Sequence, residues 1–169
     1  MGKRVLVVFA TGAGSTQEVA EAIADTLAAQ GLETTVMRVQ DAGPPTGYDA
    51  VVLGSAIRAG RWLPAATSWL STHRQALADM PVALFAVCLS ACDDDKPEQI
   101  ETLEAYMATQ SEGLRAVDTA IFAGKLDYAR LSFLMRGMLK LMRAQEGDHR
   151  DWQAIDDWAT GLAPRLAEA

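Results

Sequence analysis

Val5-Leu6-Val7-Val8-Phe9-Ala10-Thr11-Gly12-Ala13-Gly14-Ser15-Thr16 is the stretch on which the reading of this chain turns. Its first five residues are continuously apolar and mostly β-branched, which fits a strand buried on both faces of a parallel sheet. A small, polar turn follows at once. Val19, Ala20, Ile23, Ala24 and Leu27 then recur at helical spacing, and Gly31 closes that helix. A glycine turn that opens a helix presents backbone N–H groups and the positive end of the helix dipole, the makings of an anion site. Gly12 and Gly14 let the backbone approach a phosphate, and Thr11, Ser15 and Thr16 add hydroxyl donors around Ala13. The turn holds no Lys or Arg, which favours a monophosphate held by N–H and O–H groups.

Working outward, strands and helices alternate. Glu33 to Val39 alternates around Thr34, Thr35 and Val36 and reads as a second strand. Ala50 to Gly54 is a third buried strand, and Val82 to Val87 a fourth. Thr119 to Ala123 is a fifth, starting as early as Ala116. Leu63 to Leu77 is helical, with Pro64 tolerated in its first turn. Pro97 opens another helix with Ile100, Leu103, Tyr106 and Met107 turned inward. A last helix runs from about Asp151 to Leu166. The alternation predicts an α/β fold of three layers around a parallel sheet. The length of 169 residues is that of one domain over the whole chain, and nothing in it reads as a linker.

Composition narrows the function classes. Hydrophobic residues make up 50% and charged residues 22%, which is globular composition. The formal net charge of −7 argues against a nucleic-acid partner. No apolar run approaches the roughly 20 residues that would span a bilayer, and the short run at Val5 to Phe9 is no signal-peptide core. Cys88 and Cys92 cannot build a disulfide framework and are too far apart for a Cys-x-x-Cys pair. A reduced, cytoplasmic, soluble domain is expected. His73 and His149 show no ligand spacing, so no metal is expected. Asp93-Asp94-Asp95 reads as capping charge for the helix after Pro97.

Three phosphate loops can be compared with Thr11 to Thr16. A dinucleotide fingerprint needs a third glycine where Gln17 stands, and a P-loop needs a lysine that is missing. The remaining pattern, Thr-Gly-x-Gly-x-Thr, resembles the FMN phosphate loop of flavodoxins. A response regulator would carry acids where Phe9-Ala10 and Leu53-Gly54 stand. The resemblance extends along nearly the whole chain. Tyr48-Asp49-Ala50-Val51-Val52-Leu53-Gly54-Ser55-Ala56-Ile57-Arg58-Ala59-Gly60, Ile121-Phe122-Ala123-Gly124-Lys125-Leu126-Asp127-Tyr128 and the late Asp151-Trp152 are similar to the quinone-dependent protoporphyrinogen oxidases of flavodoxin type. Those oxidases usually carry a longer insertion before the Asp-Trp. Here only Gln145 to Arg150 intervenes.

The resemblance implies a flavodoxin-like sandwich with a five-stranded parallel sheet of order 2-1-3-4-5, and FMN over the carboxyl ends of strands 1, 3 and 4. Thr11, Gly12, Ala13, Gly14, Ser15 and Thr16 would hold the phosphate. The loop Ser55, Ala56, Ile57, Arg58, Ala59, Gly60, reaching to Trp62, would clasp the isoalloxazine together with Cys88, Leu89, Ser90 and Gly124. Main-chain groups from Ala56 to Gly60 would meet N5, O4 and the pyrimidine edge. Arg58 and Arg61 would flank the flavin or meet a substrate carboxylate, against the plainer reading of two solvated arginines. Trp62 would stack on the ring or cover the next helix. Cys88 packs as a core thiol. No side chain is assigned as acid or base.

The stretch from Gly124 to Gln145 is the most unusual. Lys125, Arg130, Arg136, Lys140 and Arg143 stand against Asp127 alone, among Leu131, Leu134, Met135, Met138, Leu139, Leu141 and Met142. The stretch reads as a helical segment, amphipathic from about Tyr128 to Ala144, and a basic amphipathic helix of this kind lies on an anionic membrane, holds a partner, or packs on its own sheet with a wet basic edge. The resemblance implies an enzyme that takes a small-molecule substrate and passes its electrons through FMN to a quinone, from the inner face of the cell membrane. Two other readings stay open: an electron shuttle that serves a redox partner protein, and an interaction module that has lost its cofactor.

Overall fold

The computed structural model describes residues 2–89, 97–144 and 146–168. β1 (Arg4–Ala10) is the centre of the core, with Val5 to Val8 essentially inaccessible. Its side chains alternate between two hydrophobic layers, as the pleat requires. Val5, Val7 and Phe9 meet α1 (Ser15–Ala29) and α5 (Trp152–Ala167), whereas Leu6, Val8 and Ala10 meet α2 (Pro64–Ala78). A strand that is apolar at every position is therefore a strand with a core on each side.

β2 (Glu33–Arg38) and β3 (Ala50–Arg58) pair in parallel with β1 on either edge. β5 (Pro81–Cys88) adds to β3, and β6 (Arg115–Ala123) adds to β5. The two-residue β4 (Arg61–Trp62) folds back on β3. The long strands thus run β2-β1-β3-β5-β6, the expected 2-1-3-4-5 order once β4 is set aside. Connections leave β1 and β3 toward opposite faces, since α1 covers one layer and α2 the other. That divergence opens a crevice at the carboxyl ends of β1 and β3, where ligands bind in open α/β sheets.

Gly54 explains how the third strand passes the core. A Cβ built there would fall inside the Phe85 ring. Phe85 is itself fully buried and stands 6.3 Å from both the Phe122 and Trp158 rings. The aromatic knot joins β5, β6 and α5 across a strand that offers no side chain there.

Three elements differ from their sequence reading. β3 runs on to Arg58, and Ala59 and Gly60 turn the chain back with φ of 50° and 73°. Positive φ at both central residues is the requirement of a type I′ hairpin, so Ser55 to Trp62 is paired strand and tight turn where a clasping loop was expected. Trp62 is buried in the layer under α2, not free to stack on a ligand. The segment from Gly124 to Gln145 is only partly helical. β7 (Lys125–Leu126) pairs antiparallel with β8 (Gly147–Asp148), a 3-10 turn spans Tyr128–Arg130, and α4 (Phe133–Leu141) sits at the tip. α3 (Pro97–Ser111) starts where Pro97 placed it; Asp93-Asp94-Asp95, Cys92 and Ser90 lie outside the described residues.

Candidate functional site

The turn from Thr11 to Gly14 is shaped by two local interactions. Gly14 adopts φ of 95°, a left-handed conformation that a Cβ would strain, and serves as the N-cap of α1. Its N–H donates to Thr11 Oγ1 at 2.9 Å. No side chain caps the helix. Its first N–H groups therefore face the crevice without the Ser or Asp acceptor that usually occupies this position. Thr16, in the first turn, is fully buried, yet its hydroxyl has no hydrogen-bond partner. A buried hydroxyl without a partner is costly. An anion lodged in the turn would give it one, and a terminal phosphate such as that of FMN fits this donor set of amides and hydroxyls.

Two guanidinium groups hang over the turn. A Cβ built at Gly12 would stand 3.1 Å from Arg58 Nη2, and one at Gly14 would stand 3.4 Å from Arg130 Nη1. Arg58 comes from the end of β3 and Arg130 from the 3-10 turn after β7. Arg58, read from sequence as flanking the flavin, brings its guanidinium close to Gly12 of the turn. Arg61 sits beyond the hairpin tip as its strand partner.

Ser55 is fully buried and its hydroxyl is committed to the hairpin. It accepts from Leu63 N–H at 3.0 Å and donates to Ala56 O at 2.8 Å. Ala56 and Ile57 follow in the last part of β3, and Ala59 and Gly60 form the hairpin turn. Cys88 ends β5 as a buried free thiol, and Leu89 beside it is partly exposed. Gly124 closes in on this end of β5. Its N–H donates to Cys88 O at 3.1 Å, and a Cβ there would press on Val87 Cγ1 at 3.3 Å. Gly124 O accepts from His149 N–H at 3.2 Å.

An ionic seam ties the 124–150 excursion to α1. Arg150 is only 5% exposed and grips Asp148 with two bonds, Nε to Oδ1 at 2.8 Å and Nη2 to Oδ2 at 2.6 Å. Its Nη1 donates to Glu18 Oε2, and its guanidinium stacks 4.5 Å over the Trp152 ring. The Arg150 hydrogen bonds hold the Asp148 carboxyl down to about 2 and keep Glu18 below its ordinary value. Glu18 and Arg150 are 132 positions apart, so no local pattern in the sequence marks this pair.

α4 stands clear of both cores. Phe133, Leu134, Met138, Leu141 and Met142 are 49 to 88% exposed, and no α4 residue is buried. Ser132 caps the helix through Met135 N–H, and Lys140 lies 5.4 Å over the Tyr128 ring. Among the described residues no helix is long and apolar enough to cross a membrane. Among the described residues no group of His, Cys, Asp and Glu is arranged to hold a metal ion.

Known proteins share this architecture. Protoporphyrinogen IX dehydrogenase (quinone) of Escherichia coli is 28% identical over 171 residues, spanning 95% of this chain and 94% of its own. The Leishmania major protein of the same name is 26% identical, spanning 95% of this chain and 74% of its own. Oxidised Flavodoxin 1 from Bacillus cereus superposes with a TM-score of 0.63 at 15% identity, over 97% of this chain and 99% of that one. A Lactobacillus acidophilus flavoprotein solved in complex with FMN gives 0.53 at 13% identity, over 72% and 93%. A flavodoxin domain model matches residues 6–153, a span that takes in the phosphate turn, the hairpin, the excursion and the start of α5. The chain belongs to the flavodoxin domain family.

Proposed function

We propose that this protein is an FMN-dependent oxidoreductase that oxidises a porphyrinogen-type substrate and delivers the electrons to a quinone at a membrane surface. The observation that carries this reading is α4 with its C-cap, which together hold five large apolar side chains in solvent. Arg130 and Arg150 link its excursion to the first turn of α1. An electron shuttle serving soluble partners has no use for an exposed apolar helix with Lys140 and Arg143 at its edge, and usually surrounds its flavin with acidic residues. Similarity over nearly the full chain to proteins named protoporphyrinogen IX dehydrogenase supports the same choice.

Bound FMN supplies the electron-transfer chemistry. The chain's own residues bind and orient it. The turn from Thr11 to Thr16 takes the phosphate, and the Ala56 to Gly60 hairpin main chain meets the ring edge. Leu89 and Gly124 line the opposite wall beside Cys88. Ser55 keeps the hairpin pinned to the start of α2 through Leu63 N–H. Lys140 and Arg143 draw α4 to anionic lipid while its apolar stripe enters the interface. That placement brings the crevice to the depth where a quinone resides.

The test is an anaerobic assay of FMN-loaded protein with protoporphyrinogen and a menaquinone analogue. Bleaching of the flavin by the porphyrinogen and recovery with the quinone is the expected result. Flavin that stays oxidised with porphyrinogen, yet is readily reduced by a flavodoxin reductase, would leave the shuttle in its place. A purified protein with no FMN affinity would leave the interaction module.

A further inference from the structure

The glycine turn contains no cation, yet two arrive from elsewhere in the fold. Arg58 and Arg130 come from elements separated by the whole of α2, β5, α3 and β6, and both place a guanidinium nitrogen within 3.4 Å of where a turn Cβ would be. Neither is committed to a strong partner. Among the described residues no acceptor lies within hydrogen-bond distance of the Arg58 guanidinium. Arg130 has only Glu18 Oε1 at 3.8 Å and Asp127 Oδ2 at 3.6 Å, both beyond hydrogen-bond length. Glu18 is meanwhile held through its other oxygen by Arg150. The first turn of the helix that follows holds the buried Thr16 hydroxyl, also without a partner. Like charges converging on uncapped N–H groups are unfavourable alone and favourable around a dianion.

We propose that Arg130 and Arg58 form a guanidinium pair that binds the terminal phosphate of the flavin nucleotide, closing over the glycine turn from two sides. Arg130 belongs to the excursion that carries α4, so phosphate occupancy and the placement of that excursion are coupled through one side chain. This inference rests on the reading of the turn as a phosphate site, and the experiment below separates the two.

FMN and riboflavin affinities are measured by flavin fluorescence quenching for the wild-type chain, Arg130→Ala, Arg130→Lys and Arg58→Ala. Inorganic phosphate binding to the flavin-free protein is followed by shifts of the Gly12 and Gly14 amide resonances. Each alanine variant is expected to weaken FMN roughly tenfold or more while riboflavin affinity stays put. Arg130→Lys recovers part of the loss, because it keeps the charge but not the fork. The FMN preference should also shrink with added salt in the wild type and less so in the variants. Arg130 is half exposed, so its removal does not threaten the core. Unchanged FMN affinity in Arg130→Ala, or an equal loss for riboflavin, overturns the pair and leaves the phosphate turn standing. Phosphate binding that depends on Arg130, in a protein with no FMN affinity, keeps the pair and overturns the flavin reading. Failure of both probes overturns both.

Discussion

Single residues set the limits of this site. Gly14→Ala places a side chain at φ of 95°, a left-handed conformation costing about 1–2 kcal/mol, and directs its Cβ toward Arg130. FMN affinity should fall, with a matching loss of midpoint in urea unfolding. Gly54→Ala is more severe and has nothing to do with the cofactor. The new methyl group occupies the Phe85 ring position, and destabilisation of about 3 kcal/mol or more is expected by the same assay. These two glycines separate a binding defect from a packing defect within one sheet. Asp148 adds a pH dependence of known sign. Its folded carboxyl is held at about 2 against an ordinary 3.8, so its contribution is complete above the higher value. It is lost as pH falls through the lower one. A carboxyl NMR titration in the wild type should show that depressed midpoint. In Arg150→Met the midpoint should return toward 3.8. An Asp148 midpoint unaffected by Arg150 would remove the ion pair as the cause.

At the scale of elements, the excursion and the sandwich obey different rules. α1 and α5 each bury a full apolar stripe, and their loss would collapse a core layer. α4 buries nothing. The pair Leu134→Gln with Leu141→Gln should therefore leave unfolding free energy within about 0.5 kcal/mol of wild type. The wild-type chain is expected to co-sediment with phosphatidylglycerol vesicles and not with neutral phosphatidylcholine vesicles, and the double variant is expected to lose that co-sedimentation. Retained sedimentation would mean that α4 is not the contact. The same contrast explains what was legible in the sequence. α1 and α5 declare themselves because one buried face imposes a regular period on nearby residues, and β1 because burial on both faces makes it an unbroken apolar run. Ser55 to Trp62 read as a loop because the type I′ turn at Ala59-Gly60 lacks the Asn-Gly signal, and only its positive φ values reveal the hairpin. The segment that holds α4 reads as an amphipathic helix, but its pattern is the same whether it packs on a sheet or faces lipid, so its surroundings were not legible.

At the scale of the whole molecule, the expected cofactor end follows from the order of elements, whereas the charges around it come from tertiary closure. The order of elements, with a glycine turn after the first strand, is enough to put a ligand at the sheet's switch point. The convergence of Arg58, Arg130, Glu18 and Arg150 depends on tertiary closure across most of the chain length, which one-dimensional periodicity does not carry. Closure of this kind also links binding to global stability. FMN at a hundred times its dissociation constant should raise the unfolding free energy by about 2.7 kcal/mol. A melting shift of about 5–10 °C follows for a chain of this size. Inorganic phosphate should give a smaller shift in the same direction, and a thermal scan without either shift would count against an ordered phosphate site.

Gly124 carries one consequence outward. The excursion leaves the sandwich at this residue and returns to it at His149, with both ends clasped at the same point. Material between such a pinched entry and exit behaves as a cartridge. Its tip, α4, can be rewritten without pulling on the strands beneath, provided that Arg130 and the β7–β8 pair at the neck are kept. A chain engineered with another cartridge at this neck should fold on the same sheet and find a different address.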